Sequence, residues 1–135
     1  MSEADFEILD IIIDCADPHR LGAFWAEVLG RPVDGSKGAY VWLARSPGAI
    51  GVGFQKVAEP KVEKNRVHLD IAASDLVGAK ARIEQLGGRR VHGYERGGFL
   101  VMADPEGNEF CLIPVEPFEF DESGRTNYLD GLDAI

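Results

Sequence analysis

A chain of 135 residues with 45% hydrophobic content is long enough to bury a core without disulfide or metal staples, and one domain is its simplest reading. Its formal net charge of -9 argues against a nucleic-acid backbone or an anionic membrane surface as the main partner. No apolar run approaches bilayer-spanning length and the start, MSEADFEILD, is acidic rather than signal-like, so a cytoplasmic setting is expected.

Ile8 to Cys15 reads as the first strand, with Ile11 and Ile13 on one face and Asp10, Ile12 and Asp14 on the other. Asp17-Pro18 then opens a helix, since Asp is a good N-cap and Pro suits the first helical position. Leu21, Phe24, Trp25, Val28 and Leu29 form its apolar stripe and Gly30 ends it. Arg31 to Asp34 is expected as a short edge strand, because Pro32 could not pair in a central one. Ala39 to Ala44 and Ile50 to Val57 follow as strands, separated by the Ser46-Pro47-Gly48 turn.

Lys56 to Asn65 is a polar connector, after which the pattern restarts. Arg66 to Ala72 reads as a strand with Val67, Leu69 and Ile71 on one face and His68, Asp70 and Ala72 on the other. Asp75 caps a second helix with the stripe Leu76, Ala79, Ile83 and Leu86, stopped by Gly87-Gly88. Arg89 to His92 is a short strand, His92 to Gly98 a glycine-rich loop, and Phe99 to Ala103 another strand. Then comes DPEGNEFCLI, Asp104 to Ile113: turn chemistry followed by a strand with Glu109, Cys111 and Ile113 on one face. A carboxylate opening so apolar a strand needs a partner, a proton or a cation if it is buried. Cys15 and Cys111, both within strands, read as buried free thiols, which suits a reducing compartment.

The chain repeats itself. Asp10 to Asp17 lies over His68 to Asp75, and Tyr40 to Gly48 over Phe99 to Gly107, at nearly constant offset. Each half is strand, helix, three strands. One helix covers one side of a four-stranded sheet, so the other face is left to the second half, a ligand or solvent.

With IDCADPHRLGAFWAEVLG, NRVHLDIAASDL and DPEGNEFCLI in these places, the chain resembles the vicinal oxygen chelate superfamily, the glyoxalase, bleomycin-resistance and extradiol-dioxygenase group. It looks most like that group's small glyoxalase-like domains. The resemblance implies an α+β fold of two tandem βαβββ modules, about 6–57 and 64–114, with a tail over 115–135. Together the modules would form an open eight-stranded cup with helices on the outer faces. In metal-dependent relatives the ligands come from the first and last strands of each module. Position by position this implies Asp10, His68 and Glu109 as metal ligands, with Asp10 standing where many members have His or Gln. The fourth position, within Ile50 to Gln55, offers no carboxylate or imidazole in either register, whether Gly51, Gly53 and Gln55 or Ile50, Val52 and Phe54 face the cup. That leaves a three-residue set plus water.

Asp10, His68 and Glu109 would suit Mn, Zn or Mg and leave room for a substrate with adjacent oxygens. The competing reading is a polar cup in which His68 and Glu109 form a hydrogen-bonded ion pair and no metal is held. Asp70 shares the face of His68 and is a candidate to orient the imidazole or move a proton, as is Glu109. A solvated rim carboxylate is the plainer role for Asp70 and for its counterpart Asp14. Trp42, Gln55, Met102, Asp14, Asp70 and Cys111 are the expected ligand contacts, with Tyr40 as a second aromatic candidate for stacking or core. Cys111 reads as a lining thiol rather than a nucleophile, because no base is identifiable beside it. Arg89, Arg90, His92, Tyr94 and Arg96 form either a basic rim or ordinary surface. Two functions follow: metal-assisted lyase, isomerase or group-transfer chemistry on a small molecule, or a metal-free binder of the bleomycin-resistance type. A homodimer is expected, with the tail aromatics Phe118, Phe120 and Tyr128 covered by a neighbouring surface.

Overall fold

The computed structural model describes residues 5–94 and 99–114, and in them the strand–helix–three-strand pattern occurs twice. The two compact units divide between Lys61 and Val62, inside the polar connector. Arg96 and the tail aromatics Phe118, Phe120 and Tyr128 lie outside the described residues.

The first module contains β1 (Asp10–Cys15), α1 (Pro18–Leu29), β2 (Val33–Lys37), β3 (Tyr40–Leu43) and β4 (Gly51–Lys56). Its sheet runs β1-β4-β3-β2, with β1 parallel to β4 and the other pairs antiparallel. The Asp17 carboxylate accepts the Arg20 N–H at 3.1 Å, satisfying a helix-start donor, and Gly30 closes α1 at φ 66°. Leu21, Phe24 and Trp25 of α1 are buried, as are Val41, Leu43, Val52 and Phe54 on the sheet face they cover. Each such side chain contributes about 1.5–3 kcal/mol by leaving water, so this layer carries the module's stability. Gly22 lets the helix approach closely: a Cβ there would lie 3.1 Å from Val41 Cγ1.

The second module contains β5 (Leu69–Ala73), α2 (Leu76–Gln85), β6 (Arg89–Tyr94), β7 (Phe99–Ala103) and β8 (Glu109–Pro114), with strand order β5-β8-β7-β6. Asp75 caps α2 by accepting the Gly78 N–H at 3.1 Å. The cross-strand partners Met102 and Phe110 are fully buried, with Leu112, on one face of the sheet, while Phe99, Cys111 and Ile113 cluster on the other. Between β7 and β8 the buried Asp104 carboxylate accepts the N–H groups of Glu106 and Asn108 at 2.9 and 3.0 Å. The Asn108 side-chain amide completes that grip, and Gly107 turns the chain at φ 87°. The turn therefore fixes the register in which β8 starts.

Several boundaries differ from expectation. β5 begins at Leu69, and Val67, expected on one strand face with Leu69 and Ile71, precedes the strand and is 77% exposed. β2 is displaced past Pro32, as a residue without an N–H favours. β6 runs on to Tyr94, through residues expected as loop, with a register irregularity between Arg90 and His92.

Candidate functional site

In module one, β1 and β4 pair in register as Asp10 with Gly51, Ile12 with Gly53 and Asp14 with Gln55. Partners in register share a face, so the ambiguity over β4 is resolved: Gly51, Gly53 and Gln55 lie opposite the helix, while Phe54 is fully buried beneath it. Tyr40 and Trp42, paired with Gln55 and Gly53, join the open face and stay 43% and 40% exposed. Two large aromatics beside two glycines leave a hollow of about 890 Å³, lined among others by Ile12, Tyr40, Trp42 and Gly53. The indole of Trp42 lies across Gly35, where a Cβ would be 2.8 Å from ring carbon Cζ2.

Asp10 supplies the polar edge of this hollow. Its carboxylate lies over Gly51, and a Cβ on Gly51 would run into it. Arg45 Nη1 stands 3.7 Å from Asp10 Oδ1 and donates to the Leu9 carbonyl at 3.0 Å, which anchors the guanidinium. Both side chains are well exposed, so the pair adds little stability and instead places two opposite charges at a ligand-sized hollow. Of the expected ligand contacts, Trp42 lines the hollow; Asp14 and Gln55 share its face without lining it.

In module two, Asp70 of β5 pairs in register with Cys111 of β8, and His68 immediately precedes β5. His68 Nε2 lies 3.1 Å from Asp70 Oδ1, with both side chains nearly half exposed. Cys111 bonds to Asp70 through its side chain and is itself buried. Burial first, and then the neighbouring Asp70 carboxylate, pushes the Cys111 thiol up to about 11, while Lys64 pulls weakly the other way. A base does stand beside Cys111, contrary to the expectation from sequence. The order is thiol, carboxylate, imidazole, however, and a carboxylate next to the sulfur disfavours the thiolate. Cys111 is thus not set up as a nucleophile.

Glu109 is held elsewhere. Its Oε2 accepts the Asn65 N–H at 3.1 Å, and its backbone carbonyl accepts the Asn65 side-chain amide at 3.3 Å. The Asn65 N–H is the partner that the sequence reading required for this carboxylate but could not name. Among the described residues the ligand-type group that converges is His68, Asp70 and Cys111, whose candidate ligand atoms all lie within 4.8 Å of one another. Imidazole nitrogen, carboxylate oxygen and thiol sulfur are a chemically competent donor set for a divalent ion. Met102, expected as a ligand contact, has no exposed surface and belongs to the packed face with Phe110. Arg89 and Arg90 are exposed on β6.

No match was found by sequence among curated proteins. Solved structures share the fold. A possible glyoxalase from Bacillus cereus is 15% identical with TM-score 0.61, covering 79% of this chain and 97% of its own. The trypanothione-dependent glyoxalase I of Leishmania major is 20% identical with TM-score 0.60, over 80% and 86%. A fosfomycin resistance protein from Mesorhizobium loti is 16% identical with TM-score 0.61, over 85% and 94%. A family model described as a glyoxalase-like domain matches residues 10–113. With that match spanning both modules, the chain belongs to the glyoxalase-like domain family, within the vicinal oxygen chelate superfamily.

Proposed function

We propose that this protein binds a small, flat, partly apolar molecule carrying an acidic group on the open face of module one. The observation that carries this reading is the hollow over Gly51 and Gly53, with exposed Tyr40 and Trp42 in it and the Asp10–Arg45 pair at its edge. A binding pocket is typically apolar with a few placed polar groups, and this one has that make-up. Trp42 offers a face for stacking, worth about 1 kcal/mol beyond area burial. Arg45 can meet an acid group bidentately once it parts from Asp10.

The test uses 8-anilinonaphthalene-1-sulfonate, an aromatic anion, as probe. Saturable one-to-one binding that quenches tryptophan emission and weakens at least about 5-fold in Trp42→Ala supports the reading. Equal binding by the parent and Trp42→Ala contradicts it. Trp25 is buried beneath the sheet, and the Trp42→Ala variant shows how much of the emission change belongs to it.

A second reading is metal-assisted lyase, isomerase or group-transfer chemistry on a substrate with adjacent oxygens. The convergence of His68, Asp70 and Cys111 favours it. A divalent ion of the Mn, Zn or Mg kind would supply Lewis-acid polarisation. His68 would hold it, with Asp10 and Glu109 as the further ligands that family resemblance suggests, and Asp70 or Glu109 would carry the proton. In that role Glu109 would have to release the Asn65 N–H and Asp10 the Arg45 guanidinium. Calorimetric titration of chelator-treated protein with each ion tests this reading. The free thiols support a cytoplasmic setting, and no described helix is long and apolar enough to cross a membrane. A homodimer remains part of the proposal, and light scattering tests it.

A further inference from the structure

We infer that His68, Asp70 and Cys111 form a thiolate-containing zinc site in module two, a ligand set different from the Asp10, His68 and Glu109 positions suggested by family resemblance. The inference rests on the metal-assisted reading above and specifies which atoms hold the ion. Three observations carry it. First, the parallel β5–β8 register places Asp70 directly beside Cys111, and His68 stands two residues before Asp70, immediately ahead of β5. Second, the three candidate ligand atoms lie within 4.8 Å of one another, and His68 Nε2 is already 3.1 Å from Asp70 Oδ1. Tetrahedral zinc with bonds of roughly 2.0–2.3 Å separates its ligand atoms by about 3.5 Å. The His68 and Asp70 side chains are both nearly half exposed, so packing does not lock either one at its present separation. Third, the Glu109 carboxylate is engaged with the Asn65 N–H, which leaves the inner donor position to Cys111.

Sulfur decides the metal. A thiolate with an imidazole and a carboxylate selects zinc over magnesium or manganese, which prefer all-oxygen surroundings. Binding displaces the Cys111 proton, and the sulfur–metal bond replaces its hydrogen bond to Asp70. Three protein ligands leave a fourth position for water or a small-molecule oxygen. Cys15 provides an internal control, since it lies in module one and its Sγ is directed to the Gln55 carbonyl at 3.6 Å.

The experiment is titration of full-length, chelator-treated protein with Co(II) as spectroscopic probe, followed by displacement with Zn(II). The expected result is a near-ultraviolet sulfur-to-cobalt charge-transfer band. It should persist in Cys15→Ser and Glu109→Gln and vanish in Cys111→Ser. His68→Ala, a change at an exposed position, is expected to weaken zinc binding more than the roughly 10- to 100-fold that an outer partner's loss costs. Asp70→Asn, at an exposed ligand position that belongs to this set alone, stands in for Cys111→Ser if circular dichroism shows the latter unfolded, and zinc binding should weaken in it likewise. Calorimetric binding without the band, or loss in Glu109→Gln but not in Cys111→Ser, overturns this ligand set while leaving the metal-assisted reading intact. Absence of any Co(II) or Zn(II) binding overturns both.

Discussion

Gly35→Ala is a sharp probe of the module-one site, because the added methyl acts on one side chain. Placed on the existing backbone, the new Cβ would lie 2.8 Å from Trp42 Cζ2, 2.9 Å from Cε2 and 3.1 Å from Nε1. Ordinary carbon contacts sit at about 3.5–4.0 Å, so the indole must lift by more than about 0.5 Å. Overpacking in a closed core costs about 1–3 kcal/mol, but Trp42 is 40% exposed and can tilt toward solvent, which puts the cost near the low end. Replacing glycine in a strand returns about 0.5–1 kcal/mol, so net stability should change by less than about 1 kcal/mol. The stacking surface, in contrast, is displaced. Affinity for 8-anilinonaphthalene-1-sulfonate should fall about 3- to 10-fold, the equivalent of losing one aromatic contact. Gly22→Ala supplies the opposite case. Its Cβ would meet Val41 Cγ1 at 3.1 Å and the Phe54 ring at 3.4 Å, all buried, so melting temperature should drop by several degrees. Fluorescence titration beside calorimetry reads both variants. Unchanged probe affinity in Gly35→Ala, or its outright unfolding, would refute the reasoning.

Asp104→Ala should destabilise the protein by about 3 kcal/mol, since it strips the Glu106 and Asn108 donors of a charged acceptor inside the β7–β8 turn; urea denaturation measures it. Asp75→Ala, an exposed helix cap, should cost only about 1 kcal/mol in the same assay. Metal-free protein should weaken in alkali. The Cys111 thiol is raised from 9.0 to about 11, so its stabilising effect is complete below pH 9.0 and lost as pH rises through about 11. The contribution is about 3 kcal/mol at most, and denaturation at pH values on either side of this window should show a slope that Cys111→Ala flattens.

Much of the fold is legible in local chemistry. The Asp17-Pro18 start, the Leu21/Phe24/Trp25 stripe and the Gly30 stop each state one requirement of a helix, and all appear as read. Strand parity in Asp10–Cys15 is equally plain, because alternation survives whatever the sheet does around it. The register of β4 was not legible. GVGFQK offers an apolar residue on one face and glycines on the other, and only pairing with Asp10 and Ile12 shows which side α1 covers. Tyr40 and Trp42 illustrate the same difficulty: aromatics suit a core and a binding face alike, and the distinction lies in the adjacent glycines. The site proved harder still. His68, Asp70 and Glu109 each appear in the sequence as polar residues on a cup-facing parity. That Asp70 bonds Cys111, while Glu109 turns to the Asn65 N–H, depends on the β5–β8 register and on the connector's path. Parity puts His68 with Asp70 on one strand and Cys111 with Glu109 on another, and only the β5–β8 register sets Asp70 beside Cys111. Met102 lies in a wholly apolar strand whose parity the sequence does not reveal, and its pairing with Phe110 places it on the packed face.

The central claim is that a small aromatic acid occupies the open face of module one. Amide and indole NMR mapping with 8-anilinonaphthalene-1-sulfonate tests it most directly. Shifts are expected to concentrate at the Trp42 indole N–H and at the Ile12, Gly51 and Gly53 amides, and to disappear in Trp42→Ala. Shifts that avoid those groups, or that persist unchanged in the variant, would contradict the claim.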